Sequence, residues 1–343
     1  MFRAAPSRPM DSVIVQVIGE HPPLARAELD AIFDVIQGEA LREVAPLTYL
    51  AKVPRGSADE IGRRGGLLRF VGAVLSEAPS VEELPADKIE VKGTYAVRAT
   101  VLANAPQKAS ASVVEREVGA RMKGGRVNLE NPAHVFRVFV GERAWLTHEI
   151  YDREADDFEE RAVKHRPFFQ PVSLHPKFAR ALVNLTRVHD GQRLLDPFCG
   201  TAGILIEAGL VGARPIGIDA EPQAARGAAL NLEHFGILGA AVHEGRAKDA
   251  VALAGGRVRA IATDPPYGRS ATTMKMGARA VIEESAKAMA EVLEPGGRLA
   301  MCVPEPTMAE PLEGLLTREL SIPQRVHASL TRNYLVFRKA GGP

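Results

Sequence analysis

Two kinds of hydrophobic pattern follow one another along the chain. In the first half, short apolar or alternating runs predict strands, and apolar residues spaced three and four positions apart predict helices. The predicted strands cover 12–19, 67–74, 95–102, 134–140 and 144–149, and the predicted helices cover 24–37, 78–89 and 108–121. This mixture indicates α+β structure before residue 150.

From about residue 165, strand and helix patterns alternate regularly. The predicted helices cover 178–188, 204–209, 222–235 and 279–293, and the predicted strands cover 193–197, 215–218, 240–243, 258–262 and 298–304. A final pair of runs, 326–330 and 333–338, predicts a hairpin. Such alternation favours an α/β fold with a doubly wound, Rossmann-like parallel sheet and an antiparallel edge hairpin.

A segment that is dense in charge and poor in apolar residues separates the two patterns. Residues 151–164 therefore predict a linker or an exposed helix. The chain is accordingly divided into a domain at 10–90, a domain at 91–150, the linker at 151–164 and a domain at 165–343.

Composition restricts the class of protein. The 343 residues, 46% hydrophobic and 25% charged, are long enough for about two or three domains. No apolar run approaches the roughly 20 residues that span a bilayer, and the N-terminus lacks a signal-peptide pattern. Cysteines and histidines have no disulfide-framework or metal-ligand spacing, so we expect a cytoplasmic protein without a metal. Because the formal net charge is +1, any RNA-binding surface must be a local patch.

Small residues follow the predicted strand that ends near Asp196. The turn Asp196-Pro197-Phe198-Cys199-Gly200-Thr201-Ala202-Gly203 leads directly into a predicted helix. This arrangement forms a cradle for a nucleoside cofactor, since small residues let the ligand reach backbone N–H groups. Asp219 lies 19 positions after Gly200, close to the roughly 20 expected for a ribose-binding carboxylate. Asp249 follows the next strand and is a candidate acceptor for an adenine amino group.

The predicted strand 258–262 leads into Asp264-Pro265-Pro266-Tyr267-Gly268. An exocyclic amine of a base becomes nucleophilic when a side-chain oxygen and a backbone carbonyl accept its N–H groups. The prolines restrict the backbone and so aim these acceptors, and Tyr267 offers a face for a displaced base. In isolation, the motif is also typical of an ordinary strand-end turn. Ligands bind beyond the carboxyl ends of parallel strands, so one rim is expected to carry four acids: Asp196, Asp219, Asp249 and Asp264.

Two cations flank a glycine pair in the 91–150 region. Lys123 and Arg126 enclose Gly124-Gly125, whose backbone N–H groups can approach a phosphate. A solvated turn with two surface cations explains these residues equally well. With the Val-Asn-Leu run, Asn131-Pro132 and the strand pair that follow, the region resembles a THUMP domain, an RNA-binding module of tRNA- and rRNA-modifying enzymes. The resemblance implies that it binds the acceptor end of tRNA and that 10–90 is a ferredoxin-like domain.

The second half resembles class I methyltransferases that act on amino groups. The Asp196 turn departs from the dinucleotide pattern G-x-G-x-x-G, and its order and spacing with Asp219, Asp249 and the Asp-Pro-Pro-Tyr motif carry the resemblance over 165–340. The whole chain is similar to the archaeal THUMP-domain tRNA guanosine-10 N2-methyltransferases. This resemblance implies S-adenosyl-L-methionine as cofactor, tRNA as partner and a monomeric enzyme, and it leaves the need for a small activator protein open.

The resemblance also assigns roles to individual residues. Asp264, Pro265, Pro266 and Tyr267 would form the catalytic motif, in which Asp264 activates the amine and Tyr267 stacks on the base. Lys123 and Arg126 would bind RNA. A larger set would bind the cofactor, comprising Pro171, Ser173, Asp196, Cys199, Gly200, Thr201, Ala202, Gly203, Asp219, Ala220, Asp249 and Ala250.

Other interpretations remain open from the sequence. The same chemistry fits methyl transfer to rRNA or to another tRNA position, and a different class is a non-catalytic RNA-binding protein. The intact set of Asp196, Gly200, Asp219 and Asp264 argues against the last. A thiouridine synthetase would need a Ser-Gly-Gly-x-Asp-Ser loop, which the chain lacks. Cys199 has no obvious base beside it, which favours a packing residue over a nucleophile.

Overall fold

The structure is a computed structural model that describes residues 9–106, 110–153, 157–170, 173–266, 278–327 and 330–341. The chain forms two compact units. The first comprises 1–22, 36–63 and 68–155, and the second comprises 23–35, 64–67 and 156–343. Within the described ranges, no helix is both long and apolar enough to cross a membrane.

The N-terminal half of the chain supplies eight strands and three helices. The strands are β1 Met10–Val17, β2 Glu39–Ala45, β3 Thr48–Pro54, β4 Leu68–Ala78, β5 Glu90–Val101, β6 Lys123–Val127, β7 His134–Val140 and β8 Ala144–Asp152. The helices are α1 Pro22–Ile36, α2 Ala58–Arg64 and α3 Ala111–Arg121. The strands form one sheet in the order β2-β3-β1-β4-β8-β7-β5-β6.

The antiparallel pair β4–β8 joins strands from 10–90 and 91–150 into this single sheet. Strand β5 pairs in parallel with β6 and β7, and a core that includes Val97, Val114 and Phe136 lies beside α3. The predicted mixture of helices and strands in this half is confirmed. Its assignment as ferredoxin-like and THUMP domains stays a prediction.

Several local predictions in this half were wrong. The charged helix expected at 78–89 is absent from that described stretch, where β4 ends at Ala78 and a short 3-10 turn covers Ala86–Lys88. Pro79 and Pro85 explain the difference, because proline interrupts the hydrogen-bond ladder of a helix. Strands β2 and β3 and helix α2 were not predicted, since their polar and apolar residues follow no clear period. The glycine pair was predicted to form a turn, but it lies within strand β6, with φ of 67° at Gly124 and 63° at Gly125.

Among the described residues, the second unit contains seven strands and all of the helices that follow α3. The strands are β9 Arg193–Asp196, β10 Arg214–Asp219, β11 Ala241–Glu244, β12 Val258–Thr263, β13 Leu293–Val303, β14 Thr317–His327 and β15 Leu330–Arg338. The helices are α4 Asp157–Glu160, α5 Pro176–Leu185, α6 Gly203–Leu210, α7 Pro222–His234, α8 Ala250–Leu253, α9 Ala278–Val292 and α10 Glu310–Glu313.

The sheet of the second unit has the order β11-β10-β9-β12-β13-β15-β14. Strands β9 to β13 are parallel, and β15 runs antiparallel to both β13 and β14. This confirms the predicted doubly wound sheet with an antiparallel edge hairpin. The strand order reverses between β9 and β12, and ligands of open α/β sheets bind at such a switch point. The topology therefore directs attention to the ends of these two strands.

Helix α1 packs within the second unit, although its sequence position lies in the predicted 10–90 domain. Its Glu28 side chain is fully buried and accepts hydrogen bonds from the backbone N–H groups of Gly66 and Leu67, each at 2.7 Å. The Asn184 side-chain amide of α5 donates a third, at 2.8 Å. A Cβ at Gly66 would lie 2.4 Å from the Lys177 carbonyl oxygen, so only glycine fits this approach. Glu28 thus fixes α1, the 64–67 turn and α5 to one another.

We expect Glu28→Gln to lower the free energy of unfolding by about 1–3 kcal/mol, because the new amide nitrogen would face an N–H donor in a buried place. Urea denaturation of both proteins would measure the loss. Glu233→Gln makes the same chemical change on the exposed face of α7 and should alter stability by less than about 0.5 kcal/mol. Equal effects of the two substitutions would contradict the role assigned to Glu28.

Candidate functional site

A cleft opens at the switch point of the second unit, beyond the ends of β9 and β12. Its cavity volume is about 60 Å³, and it is lined by Gln170, Ser173, Leu174, Asp196, Phe198, Cys199, Gly200, Thr201, Gly203, Ile204 and Asp264. Seven of these residues were predicted from the sequence as cofactor-binding or catalytic. The structure therefore brings the cofactor turn and the start of the Asp-Pro-Pro motif into one cleft.

The turn between β9 and α6 has a backbone that suits a close ligand. Gly200 has φ of 49°, and among the described residues a Cβ placed there would meet only the Gln170 side chain, at 3.9 Å. Ala202, the N-cap residue directly before α6, lies in the left-handed region, with φ of 62°. The Cys199 thiol packs against Gly217 of β10, where a Cβ would come within 2.9 Å of the sulfur. Burial raises the pKa of the Cys199 thiol well above its usual range, which disfavours a nucleophilic thiolate.

Asp196 joins the two strands that border the cleft. Its side chain is 2% exposed, and Oδ1 accepts hydrogen bonds from the Thr263 hydroxyl at 2.6 Å and from the Phe198 N–H at 3.1 Å. Burial raises the pKa of Asp196 to about 7, the two hydrogen bonds oppose that shift, and the charges of Asp264 and Asp219 add to it. Asp196 therefore holds the turn against the last residue of β12.

Asp219, at the end of β10, supports the same turn from the other side. Its carboxylate accepts hydrogen bonds from the N–H groups of Gly200 and Glu221, each at 2.9 Å. A carboxylate has about four acceptor positions, so these two bonds leave capacity for ribose hydroxyls. The side chain is not part of the cleft lining that the structure describes. Its predicted role at the ribose stays a prediction.

The motif that was predicted to be catalytic follows β12 directly. Asp264 is half-buried at the cleft wall, Pro265 is buried and Pro266 is half-buried. Tyr267, predicted to stack on the base, and Pro171, predicted to contact the cofactor, lie outside the described residues.

The remaining predicted residues do not line the cleft. Ala220 and Asp249 are exposed, and Ala250 is buried in the hydrophobic core beneath the sheet. Asp249 lies in a 3-10 turn, Ala247–Asp249, five residues beyond the end of β11, and its predicted role at the adenine stays a prediction. Lys123 and Arg126 are exposed on β6 of the first unit.

Sequence reasoning missed the polar groups behind the cleft. The buried Asn231 of α7 accepts a hydrogen bond from the Phe168 N–H at 2.9 Å and donates to the carbonyls of Phe168 and Thr201 at 2.7 and 2.9 Å. Arg166 donates to the Thr201 hydroxyl at 2.9 Å. The sequence around Asn231 contains no motif that predicts these bonds, because its partners are distant in sequence. Thr263, in contrast, directly precedes the predicted catalytic motif, and this position was the signal that could have identified it.

Substitution of Asp196 by Asn should remove a pH dependence of stability. The carboxyl titrates near 3.8 when unperturbed and at about 7 in the folded protein, so the folded state holds one more proton between these values. The free energy of unfolding of the wild type should therefore fall as pH rises through this window, by roughly 1 kcal/mol per pH unit, and level off above it.

Asn keeps Oδ1 as the acceptor of both hydrogen bonds and does not titrate, so Asp196→Asn should show a correspondingly flatter profile. Denaturant unfolding of both proteins at several pH values between 4 and 8 would measure this difference. Superimposable pH profiles would show that Asp196 is ionised throughout the range.

Comparison with known proteins identifies the family. A model of the RMKL-like methyltransferase domain, UPF0020, matches residues 164–333. The chain is 35% identical over 335 residues to the tRNA (guanine(10)-N2)-dimethyltransferase of Pyrococcus abyssi, covering 94% of this chain and 98% of that protein. It is 34% identical over 348 residues to the protein of the same name from Methanothermobacter thermautotrophicus, covering 95% and 99%.

A solved structure shares the fold. The crystal structure of TrmN from Thermus thermophilus superposes with a TM-score of 0.57 at 21% identity, covering 96% of this chain and 100% of that one. The similarity to the two archaeal relatives extends over almost the full length of both proteins, which confirms the family predicted from the sequence. The chain therefore belongs to the methyltransferase family of the tRNA (guanine(10)-N2)-dimethyltransferases.

Proposed function

We propose that this chain transfers one or two methyl groups from S-adenosyl-L-methionine to the exocyclic N2 amino group of guanosine 10 in tRNA. The observation that carries the proposal is that Asp264 and the Cys199–Gly203 turn line one cleft at the switch point of the sheet. The names of the two archaeal relatives support the choice of substrate and nucleotide.

The residues of the cleft fit the cofactor. S-adenosylmethionine is the cofactor of methyltransferases of this family, and it supplies an electrophilic sulfonium methyl group. Gly200 leaves the backbone open to a ligand, since Gln170 is the one residue in the described ranges that would meet a Cβ there. Asp264 and Asp219 are close enough to raise the pKa of Asp196, so this part of the cleft suits a cationic group. Ser173, Thr201, Asp219 and the Gly200 backbone are the groups that would hold the cofactor.

Asp264 activates the amine in this proposal. Its carboxylate accepts one N–H of the guanine N2 amino group, and the Pro265 carbonyl accepts the other, which frees the nitrogen lone pair from the ring. As positive charge develops on nitrogen, Asp264 takes the proton. Guanine also presents N1–H beside the amino group, and a carboxylate accepts both donors, whereas an Asn amide would place a donor against N1–H.

The tRNA must present the base outside its helix. Displacement of a base costs about a few kcal/mol, and an aromatic face such as that of Tyr267 can recover part of it by stacking. The exposed cations Lys123 and Arg126 on β6 are the proposed phosphate contacts of the first unit.

Asp264→Ala should lower the rate of methyl transfer to unmodified tRNA by about a hundredfold or more, because the acceptor of the developing proton is lost. Binding of S-adenosylhomocysteine, measured by calorimetry, should weaken far less, by less than about tenfold, because Asp264 is only one of several residues that line the cleft. Asp264→Asn, which keeps one acceptor oxygen, is the matched variant and should also be strongly impaired. Turnover near the wild-type rate in either variant would remove Asp264 from the mechanism.

The identity and position of the methylated nucleoside test the proposed function as a whole. Unmodified tRNA transcript incubated with the enzyme and cofactor should yield N2-methylated or N2,N2-dimethylated guanosine at position 10, identified by nuclease digestion and mass spectrometry. Modification of another position, or of rRNA alone, would replace the proposed substrate by one of the other interpretations. A transcript with adenosine at position 10 should remain unmethylated.

The combined substitution Lys123→Ala and Arg126→Ala should weaken tRNA binding and lower the slope of log K against log salt concentration by roughly 1–2, because two phosphate contacts are lost. Arg42→Ala with Lys52→Ala removes two exposed cations from β2 and β3, at the opposite edge of the same sheet. That pair changes the net charge equally and should leave the slope unchanged. Equal slopes for both double variants would place the RNA contacts elsewhere.

A further inference from the structure

Arg166 is a buried cation behind the cofactor cleft. The residue is 4% exposed, and its guanidinium uses two of its three nitrogens within the described chain. Nε donates to the Arg161 carbonyl at 3.0 Å, and Nη1 donates to the Thr201 hydroxyl at 2.9 Å and reaches the Ser173 hydroxyl at 3.4 Å. Both hydroxyls belong to the cleft wall. Arg166 is therefore connected to the cleft through two side chains that line it.

The charge of Arg166 is not balanced by a carboxylate at ion-pair distance in the part of the chain that the structure describes. The nearby buried carboxylate, Glu207 of α6, is shared by Arg161 at 2.8 Å and Arg180 at 2.7 Å. Buried charges in proteins are normally paired, because an uncompensated ion loses its hydration. An anionic group of a ligand would provide the missing compensation.

Gly203 makes room for this guanidinium. A Cβ at Gly203 would lie 2.9 Å from Nη1 and 3.2 Å from Nη2 of Arg166, and 3.4 Å from the Ser173 hydroxyl oxygen. A side chain at this first residue of α6 would therefore displace the guanidinium from its present position. The N-terminus of this eight-residue helix carries positive partial charge, so the helix and Arg166 favour an anion in the same place.

Arg166 also fixes the hydrogen-bonding polarity of the two hydroxyls. A hydroxyl whose oxygen accepts a hydrogen bond from a guanidinium retains its own O–H as a donor. The Thr201 and Ser173 oxygens lie 3.5 Å apart and form a long hydrogen bond to each other, so a carboxylate that replaces this weak contact can accept from both hydroxyls. The carboxyl groups of the cleft region have the opposite character, and their negative charge suits the cationic groups of the same ligand; they belong to Asp196, Asp219 and Asp264.

We propose that Arg166 is a positioning residue for the cofactor: by holding Ser173 and Thr201 as donors beside the start of α6, it selects the methionine carboxylate of S-adenosylmethionine. The inference rests on the proposed function, since it requires the cofactor to occupy this cleft. It adds to that function a role for Arg166, which orients the methionine end of the cofactor. Correct placement of that end aligns the sulfonium methyl with the amine, so Arg166 acts on catalysis only through the cofactor.

The test compares two ligands that differ in one group. Decarboxylated S-adenosylmethionine keeps the adenosine, the sulfonium and the ammonium but lacks the carboxylate. Calorimetric titration of the wild type should show at least about a tenfold preference for S-adenosylmethionine over this analogue. Arg166→Gln should bind S-adenosylmethionine about tenfold more weakly and the analogue nearly as well as the wild type, so that the preference disappears. Arg166→Lys should retain part of it.

A structural effect alone would behave differently. Arg161→Gln removes an ion pair to the same helix but no contact to the two hydroxyls, and it should weaken both ligands equally, if at all. If Arg166→Gln does not fold, as judged by its melting temperature, Thr201→Val removes the acceptor of Arg166 and should lower the preference in its place. Preservation of the preference in the folded Arg166 or Thr201 variants would overturn the inference. Failure of the wild type to bind either ligand would instead refute the proposed function.

Discussion

The hydrogen bond between the Asp196 carboxylate and the Thr263 hydroxyl holds the functional cleft together. It joins the ends of β9 and β12, the neighbouring strands at which the strand order of the sheet reverses. Through the Phe198 N–H, the same carboxylate oxygen also shapes the first residues of the cofactor turn. Because Asp264 follows Thr263 directly, one buried side chain sets the distance between the turn at 197–203 and Asp264, the acid proposed to be catalytic. The burial that makes this contact strong also raises the pKa of Asp196 to about 7.

Other polar groups hold the cleft from outside its lining. Asp219 binds the Gly200 N–H, Asn231 ties the Thr201 carbonyl to the backbone of Phe168, and Arg166 binds the Thr201 hydroxyl. These bonds leave the turn little freedom before any ligand arrives. A preorganised site loses less conformational entropy on binding and places reacting atoms more accurately. The hydrophobic core beneath β12 and β13 supplies the rigid platform on which this arrangement rests.

The two units differ in how far sequence patterns determined them. Regular alternation of strand and helix patterns in the sequence predicted the parallel sheet of the second unit and its edge hairpin. The pattern is clear because strands buried on both faces are apolar and helices lie between them in the chain. In the first unit, β2 and β3 carry polar and apolar residues without a clear period, so they were not predicted. Pro79 and Pro85 prevent the helix that was expected at 78–89. Helix α1 was predicted correctly as an element, but its place in the second unit depends on Glu28, Gly66 and Asn184, which are far apart in sequence.

The sequence by itself identified the candidate site residues that are recognisable from their neighbours in the chain. These are the glycine-containing turn after Asp196, the acid that ends β10 and the Asp264 motif after β12. Each of these follows from a strand end and the few residues after it, so a local pattern is sufficient. Only the tertiary structure showed that Asp249 is exposed and Ala250 is buried, with neither in the cleft lining, and that Arg166, Asn231 and Thr263 make the hydrogen bonds that support the turn. Those contacts join residues as many as 67 positions apart, and their hydrogen bonds exist only once the chain has folded.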